Sequence, residues 1–227
     1  DILLSHFHKN LDKIDKKDAG FVTKADTDTE NFLIESLSQV LPQASFWAEE
    51  SGKTGGSKTD YCWVIDPLDG TTNFSYGIPY FCISIALTYN NSPILAVVYD
   101  PLRKELFTAI KDQGAYLNGK KISVSNISSL DKAFVLLSLP YKKDQDYKKL
   151  LNLSQIIDLK SYFSRQLGSV VLDAAYVACG RVDGFYCANL GWWDVVAGVL
   201  LIHEAGGLIS QFDGSIVGPD YKTCVGG

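Results

Sequence analysis

The sequence has no apolar run long enough to cross a membrane. Its most apolar stretch, Val195 to Ile202, falls far short of the about 20 residues that a transmembrane helix needs. Excess positive charge is missing too, since 21 Lys and Arg against 26 Asp and Glu give a net charge of −5. We therefore expect neither a membrane nor a nucleic-acid partner.

The five cysteines include no Cys-x-x-Cys pair. Three of them, Cys62, Cys82 and Cys179, lie in apolar runs, which is typical of reduced, buried thiols in a cytoplasmic protein. A Gly-x-x-x-x-Gly-Lys-Ser/Thr motif is absent as well, which excludes a P-loop nucleotide enzyme. What is present is a globular composition, with 46% hydrophobic and 21% charged residues among 227.

The first half, residues 1–125, reads as a helix followed by a mostly antiparallel sheet. Thr27-Asp28-Thr29-Glu30 has the spacing of a capping box, and apolar residues then recur at helical period until Pro42. Asn118-Gly119 between two apolar segments predicts a hairpin. Strands are predicted at 61–66, 81–89, 94–99 and 104–109, and in 81–89 bulky and small residues alternate.

The second half, residues 126–227, follows an α/β pattern instead. Helices are predicted at 169–179 and 195–205, and strands at 182–186 and from 208 onward. Neither half has enough amphipathic elements for a separate core, so we expect one compact unit.

The segment from Asp66 to Asn73 carries the main chemical signal. A predicted strand ends at Asp66, and Pro67 turns the chain, which should bring Asp69 back beside Asp66. The N–H groups that follow, in Gly70-Thr71-Thr72, can then face an anion. Such a turn with two carboxylates suits a hard cation that bridges protein and phosphate. A plain turn is the alternative, because Asp-Pro-x-Asp-Gly is good turn chemistry by itself.

Further acidic residues favour the metal interpretation. Glu49 and Glu50 follow the apolar Phe46-Trp47-Ala48, and Asp194 precedes an apolar helix. If these carboxylates converge, they cannot all stay ionised without a cation, because like charges raise one another's pKa.

These motifs resemble the inositol monophosphatase family, within a larger group of lithium-sensitive, magnesium-dependent phosphatases that includes fructose-bisphosphatases. Asp66 to Asn73 matches the family's Asp-Pro-x-Asp-Gly-Thr-Thr-Asn motif throughout. Glu49-Glu50-Ser51 is similar to its Glu-Glu-Ser motif, and Trp193-Asp194 with Glu204-Ala205-Gly206-Gly207 to its C-terminal signature. The resemblance implies a five-layer αβαβα sandwich that combines the α+β first half with the α/β second half, usually as a homodimer.

The resemblance also implies an activity and a set of site residues. The activity is hydrolysis of inositol 1-phosphate, or of a related polyol or sugar phosphate, by direct attack of water with two or three Mg²⁺ ions. The implied metal ligands are Glu49, Asp66, the Leu68 carbonyl, Asp69 and Asp194. Asp26 and Thr71 would orient and deprotonate the water, with Glu50 in support. The implied substrate contacts are Gly70, Thr71, Thr72 and Cys187.

Two positions depart from the family pattern. The family usually has a Glu that contacts polyol hydroxyls at the place of Cys187, and a thiol cannot accept those hydrogen bonds with comparable strength. We therefore expect a broader specificity than inositol 1-phosphate alone. Near the N-terminus, a family lysine has either Lys16 or Lys17 as its counterpart.

Other functions remain as alternatives. A haloacid-dehalogenase-type phosphatase needs two Asp two positions apart, whereas Asp66 and Asp69 are three apart. A histidinol-phosphate, fructose-1,6-bisphosphate or nucleotide 3′-phosphatase would keep the same metal residues. Some bacterial members of the family are partners in ribosomal-RNA transcription complexes, so a non-catalytic partner is the alternative from a different class.

Overall fold

A computed structural model of the chain describes residues 2–9, 13–16, 21–55 and 60–227. The helices in these ranges are α1 (Ile2–His6), α2 (Lys24–Val40), α3 (Thr71–Ser75), α4 (Gln145–Lys160), α5 (Val170–Ala178) and α6 (Val196–Glu204). Short 3₁₀ helices lie at Leu130–Lys132 and Trp192–Asp194. No helix of this part of the chain has the length and apolar character that a bilayer crossing requires.

The larger sheet has eight strands. A separate antiparallel pair precedes it, formed by β1 (Ile14–Asp15) and β2 (Phe21–Val22). The eight are β3 (Ser45–Ala48), β4 (Gly52–Thr54), β5 (Tyr61–Asp69), β6 (Cys82–Tyr89), β7 (Ser92–Asp100), β8 (Glu105–Ile110), β9 (Gly114–Leu117) and β10 (Lys120–Lys121). Their order is β10-β9-β8-β7-β6-β5-β3-β4, and every neighbouring pair is antiparallel except β3–β5.

The smaller sheet has five strands. They are β11 (Phe134–Ser138), β12 (Phe163–Arg165), β13 (Gly184–Ala188), β14 (Ile209–Ser210) and β15 (Thr223–Gly226), in the order β12-β11-β13-β15-β14. The first three strands of this order are parallel, and β15 runs antiparallel to both its neighbours. The two sheets lie on either side of residue 125, although the division of the chain into units at that position stays a prediction.

Five layers follow from how the helices pack. Helix α2 places Leu33 and Leu37 against the outer face of the larger sheet. Helices α5 and α6 lie between the two sheets, and α4 covers the far side of the smaller sheet with Leu153 and Ile157. Because α5 and α6 are covered on both sides, they are apolar almost all round. The predicted αβαβα sandwich is confirmed.

The alternation predicted for β6 sets the distance between layers. Its small residues, among them Cys82 and Ala86, are completely buried against the central helices, whereas Ile85 and Leu87 face α2. The small face of the strand therefore lets the central helices approach the sheet closely. All five cysteines are free, which agrees with the expectation of reduced thiols.

Two local predictions have different outcomes. The hairpin at Asn118-Gly119 is confirmed, since both residues have positive φ (48° and 75°) between β9 and β10. The helix start at Thr27 is wrong. Helix α2 begins four positions earlier, with Thr23 as N-cap and Asp26 closing the capping box. Glu30, which was predicted to close the cap, lies inside the helix, and its side chain accepts hydrogen bonds from the turn that follows β3.

Candidate metal and phosphate site

A bulge brings Asp66 and Asp69 together. Asp66 pairs with Ser84 and Asp69 with Cys82, so three steps along β5 match two along β6. Side chains alternate between faces along a strand, so residues three apart would otherwise point to opposite sides. The extra residue restores the same side. The strand thus continues to Asp69 rather than ending at Asp66 as predicted, and the two carboxylates meet through the bulge.

Gly70 connects β5 to α3 in a left-handed conformation, with φ of 93°. A Cβ atom at this position would lie 3.0 Å from the Tyr80 carbonyl oxygen and 3.2 Å from Phe81 Cβ. Both the dihedral angle and the space therefore require glycine. The sharp turn places Thr71, the first residue of α3, directly after the carboxylates.

Asp194 completes a cluster of three carboxylates. It ends the 3₁₀ helix before α6, and one oxygen each of Asp66, Asp69 and Asp194 lie within 4.8 Å of one another. Asp66 is buried, and its Oδ2 atom has no hydrogen-bond partner among the described residues. A buried carboxylate oxygen without a donor is costly unless a cation satisfies it. The oxygen donor set is the one that Mg²⁺ prefers, so these residues fit a hard divalent cation.

The electrostatics of the cluster agree with that fit. Burial, followed by the charges of neighbouring carboxylates, raises the pKa of Asp66 and of Asp194 well above the ordinary value. Burial also raises the pKa of Asp69 to about 6, against the opposing effect of its hydrogen bonds. Without a cation, the fold therefore disfavours the ionised form of all three groups.

Hydrogen bonds fix each carboxylate on one side. Asp69 Oδ2 accepts from Ser169 Oγ at 2.5 Å and from the Val171 N–H at 2.7 Å. Asp66 Oδ1 accepts from the Leu68 N–H at 2.9 Å, and Asp194 Oδ2 from the Gly191 N–H at 2.5 Å. Ser169 is a site residue that was not predicted. A serine before an apolar helix indicates an N-cap, but the Ser169 side chain makes no cap hydrogen bond and donates to Asp69 instead.

Glu49 and Glu50 follow β3, and both side chains form an ion pair with the same lysine. Lys16 Nζ donates to Glu49 Oε1 at 2.9 Å and to Glu50 Oε1 at 2.5 Å. Burial raises the pKa of Glu50 to about 7 even though Lys16 opposes the shift. Of the two lysines considered from the sequence, Lys16 lies at the site, and Lys17 falls outside the described residues.

The turn that carries these glutamates is held by Glu30 of α2. Its two carboxylate oxygens accept from the N–H groups of Glu50 and Ser51, each at 2.9 Å. Glu30 is 3% exposed. A bidentate buried carboxylate of this kind fixes the direction in which the Glu49 side chain leaves the backbone.

Asp26 and Thr71 form a hydrogen bond next to the motif that carries Asp66 and Asp69. Thr71 Oγ1 is 3.1 Å from Asp26 Oδ1 and 2.9 Å from the Leu68 carbonyl oxygen. Asp26 is completely buried, and burial raises its pKa. Its other oxygen accepts from the Thr23 N–H and hydroxyl, at 2.8 and 2.6 Å.

A cavity of about 630 Å³ opens over the cluster. It brings together most of the predicted site: Glu49, Asp66, Leu68, Asp69, Gly70, Thr71, Thr72 and Asp194 line it. The lining also includes Ser138 and Tyr141, and Tyr141 Oη lies 3.5 Å from Thr72 Oγ1.

Cys187 requires a correction. Its side chain is completely buried and is not part of the cavity lining. It lies on β13 opposite Cys224 of β15, inside the smaller sheet. The predicted contact between this thiol and a substrate is therefore not supported, because the side chain points into the core.

Comparisons with known proteins agree with this geometry. The sequence model of the inositol monophosphatase family matches residues 1–226. The chain is 41% identical over 215 residues to the Nus factor SuhB of Escherichia coli, covering 93% of this chain and 80% of the relative. It is 39% identical to the inositol-1-monophosphatase of a Synechocystis species, covering 85% and 67%.

A solved structure extends the likeness to the whole fold. The extragenic suppressor protein suhB of Bartonella henselae superimposes with a TM-score of 0.94 at 34% identity, covering 100% of this chain and 88% of that one. Sequence, fold and the order of the acidic motifs thus agree, and the chain belongs to the inositol monophosphatase family.

Proposed function

We propose that this chain hydrolyses small polyol or sugar phosphate monoesters in a Mg²⁺-dependent reaction, with inositol 1-phosphate as the representative substrate. The observation that carries the proposal is the convergence of Asp66, Asp69 and Asp194, of which Asp66 has a buried Oδ2 atom without a hydrogen-bond donor in the described structure. Mg²⁺ bound there would supply Lewis-acid activation of the phosphate ester and of the attacking water. Glu49 and the Leu68 carbonyl complete the proposed ligand set. We propose that the full set binds two or three Mg²⁺ ions.

The other catalytic steps are assigned to side chains and backbone groups of the protein. Thr71, which lines the cavity, holds the attacking water, and the buried Asp26 takes up the proton through Thr71, since Asp26 Oδ1 lies 3.1 Å from Thr71 Oγ1. Glu50 supports them through its ion pair with Lys16. The N–H groups of Gly70, Thr71 and Thr72 bind the phosphate oxygens.

The cavity supports a range of leaving groups. Its volume of about 630 Å³ lies within the span of roughly 300–1,000 Å³ that is typical of small-molecule sites. Cys187 lies outside the cavity lining, so that position does not select a specific polyol ring. Histidinol phosphate, fructose 1,6-bisphosphate and nucleotide 3′-phosphates would use the same metal residues and differ only at the cavity wall.

A second role is supported by the names of the relatives. The Escherichia coli and Pseudomonas aeruginosa relatives, 41% and 42% identical, are both named Nus factor SuhB. We propose that this chain also takes part in a transcription complex. We further propose that the protein is cytoplasmic and forms a homodimer. Capture of transcription factors by the Asp66→Asn protein as well as by the wild type would separate this role from catalysis. Light scattering of the purified chain tests the dimer.

Release of inorganic phosphate tests the enzymatic proposal. The panel contains inositol, fructose, histidinol, glycerol and nucleotide phosphates, each with Mg²⁺ and with EDTA. Activity should vanish in EDTA and return with Mg²⁺, and Asp66→Asn should lower the rate at least about 100-fold, as expected when one key electrostatic group is removed. Asp131→Asn, an exposed Asp in the 3₁₀ helix Leu130–Lys132, serves as the matched control. Full turnover in EDTA would contradict the proposal.

A further inference from the structure

Ser138 is a polar residue in the lining of the cavity. It is the last residue of β11 and lines the same cavity as Asp66 and Thr71. In the parallel pairing of β11 with β13, Ser138 lies opposite Cys187. The serine is therefore a polar cavity residue one strand away from the thiol that is buried in the core.

The Ser138 hydroxyl is oriented by a buried carboxylate. Ser138 Oγ donates to Asp173 Oδ2 at 3.2 Å, and Asp173, on α5, is completely buried. Since the hydroxyl proton is directed at Asp173, the lone pairs of Oγ remain for a donor in the cavity. Asp173 itself takes no part in the metal cluster.

Asp173 is in turn held by Tyr80. Tyr80 Oη donates to Asp173 Oδ1 at 2.9 Å, so both carboxylate oxygens have a hydroxyl partner. Asn73 of α3 fixes the other end of the tyrosine, because its Nδ2 atom donates to the Tyr80 carbonyl oxygen at 2.8 Å. Tyr80 thus connects the proposed phosphate-binding helix α3, through its backbone, to Asp173 and Ser138, through its hydroxyl.

We propose that Ser138 accepts a hydrogen bond from a hydroxyl group of the leaving alcohol, and that Asp173 is the residue that positions it. The inference rests on the proposed phosphatase function and deepens it, since it specifies a hydroxylated leaving group. A hydroxyl fixed by a buried partner loses little conformational entropy when it binds, so it can discriminate between alcohols. Ser138 then performs a task that Cys187 cannot.

Two substrates with the same ring test the contact. Inositol 1-phosphate carries hydroxyls around its ring, and cyclohexyl phosphate has none. At saturating Mg²⁺, Ser138→Ala should lower kcat/KM for inositol 1-phosphate about three- to tenfold, the loss expected for one neutral hydrogen bond, mainly through KM. The same variant should leave cyclohexyl phosphate unchanged. Ser138→Thr should keep the preference. Ser38→Ala, at a partly exposed serine of α2 outside the cavity lining, controls for the substitution itself.

A double-mutant cycle tests Asp173. Asp173→Asn should reduce the preference for inositol 1-phosphate in the wild-type background and have no further effect on it in the Ser138→Ala background. Should Asp173→Asn not fold, Tyr80→Phe replaces it, with the same direction of effect. An equal loss in both backgrounds would mean that Asp173 acts only on the fold.

The outcomes separate this inference from the proposed function. If Ser138→Ala affects both substrates equally, or neither, the serine does not contact the leaving group and the inference is overturned while the phosphatase activity stands. If the wild type with Mg²⁺ releases phosphate from no monoester of the panel, the proposed function itself fails.

Discussion

Thr71 and Asp26 are 45 positions apart in the sequence, yet Thr71 Oγ1 lies 3.1 Å from Asp26 Oδ1. Asp26 closes the capping box of α2, where its Oδ2 accepts two hydrogen bonds from Thr23. Helix capping therefore fixes the carboxylate and leaves Oδ1 for Thr71. A group that stabilises a helix end also sets the geometry of the proposed proton acceptor.

This pair yields the first prediction. Thr71→Val keeps the shape of the side chain and removes the hydroxyl, so kcat should fall by about 100-fold or more, the usual contribution of positioned acid–base catalysis. Thr71→Ser should retain most of the rate. Steady-state kinetics at saturating Mg²⁺ measures both, with Thr27→Val on α2 as the control. A Thr71→Val protein with wild-type kcat would exclude the threonine from proton transfer.

The second prediction concerns the nucleophile. If water attacks the phosphorus directly, rapid quenching with ³²P-labelled substrate should trap no phosphorylated protein at any time before steady state. The Asp66 and Asp69 side chains would then act through the cation alone. Radiolabel retained on Asp66 in the quenched wild type, and lost in Asp66→Asn, would instead favour an aspartyl-phosphate mechanism.

The third prediction concerns Glu30, which sequence analysis placed in a helix cap. Glu30→Gln replaces one of the two acceptor oxygens by an NH₂ group, which cannot accept a hydrogen bond, so one of the N–H groups of Glu50 and Ser51 loses its partner. Because the turn then holds Glu49 less firmly, the Mg²⁺ concentration for half-maximal activity should rise severalfold, with little change in kcat at saturating Mg²⁺. Effects of this size are typical of residues that orient metal ligands.

Glu35→Gln, farther along α2 and without a contact to that turn in the described structure, is the matched control for Glu30→Gln. An unchanged Mg²⁺ requirement in Glu30→Gln would show that the turn does not need this carboxylate.

Features that depend on contacts between residues close in the sequence could be predicted, whereas features that depend on contacts between distant residues could not. The motif from Asp66 to Asn73 could be interpreted because its residues are local, and Gly70 indeed adopts the conformation that only glycine accommodates easily. The cause of the Asp66–Asp69 approach could not be predicted. A bulge in β5 depends on how β5 pairs with β6, and a shift of one residue in that pairing changes the face of the sheet on which a side chain lies.

Long-range hydrogen bonds explain the rest of what sequence analysis missed. Ser169 is 100 positions from Asp69, and Tyr80 is 93 from Asp173. The cap predicted at Thr27 is followed by Glu30 at capping-box spacing, and the sequence alone does not show that Glu30 has its partners after β3 instead. Cys187 shows the converse, because its position suggested a substrate contact, whereas its side chain packs into the core.

The last prediction concerns stability and pH in the absence of metal. Burial raises the pKa of Asp69 from 3.8 to about 6 in the folded protein. A folded pKa above the unfolded one means that the stabilising effect is complete below about pH 4 and is lost as pH rises through about 6. At about 1.4 kcal/mol per unit, the loss approaches 3 kcal/mol. Mg²⁺ favours the ionised carboxylates, so it should reverse this loss and stabilise the fold more at about pH 7 than at about pH 5.

Urea unfolding of the wild type and Asp69→Asn, each in EDTA and in Mg²⁺, measures this effect. The difference between the two proteins cancels the titration of groups distant from Asp69, whereas Asp66 and Asp194 titrate together with it. In EDTA, the wild type should lose stability relative to Asp69→Asn between about pH 4.5 and pH 7, because only the wild type must ionise this buried group. In Mg²⁺, the order at about pH 7 should reverse, since the amide is a poorer ligand than the carboxylate. A difference that stays constant with pH in EDTA would mean that Asp69 keeps an ordinary pKa, and that the carboxylate cluster does not need a cation to ionise.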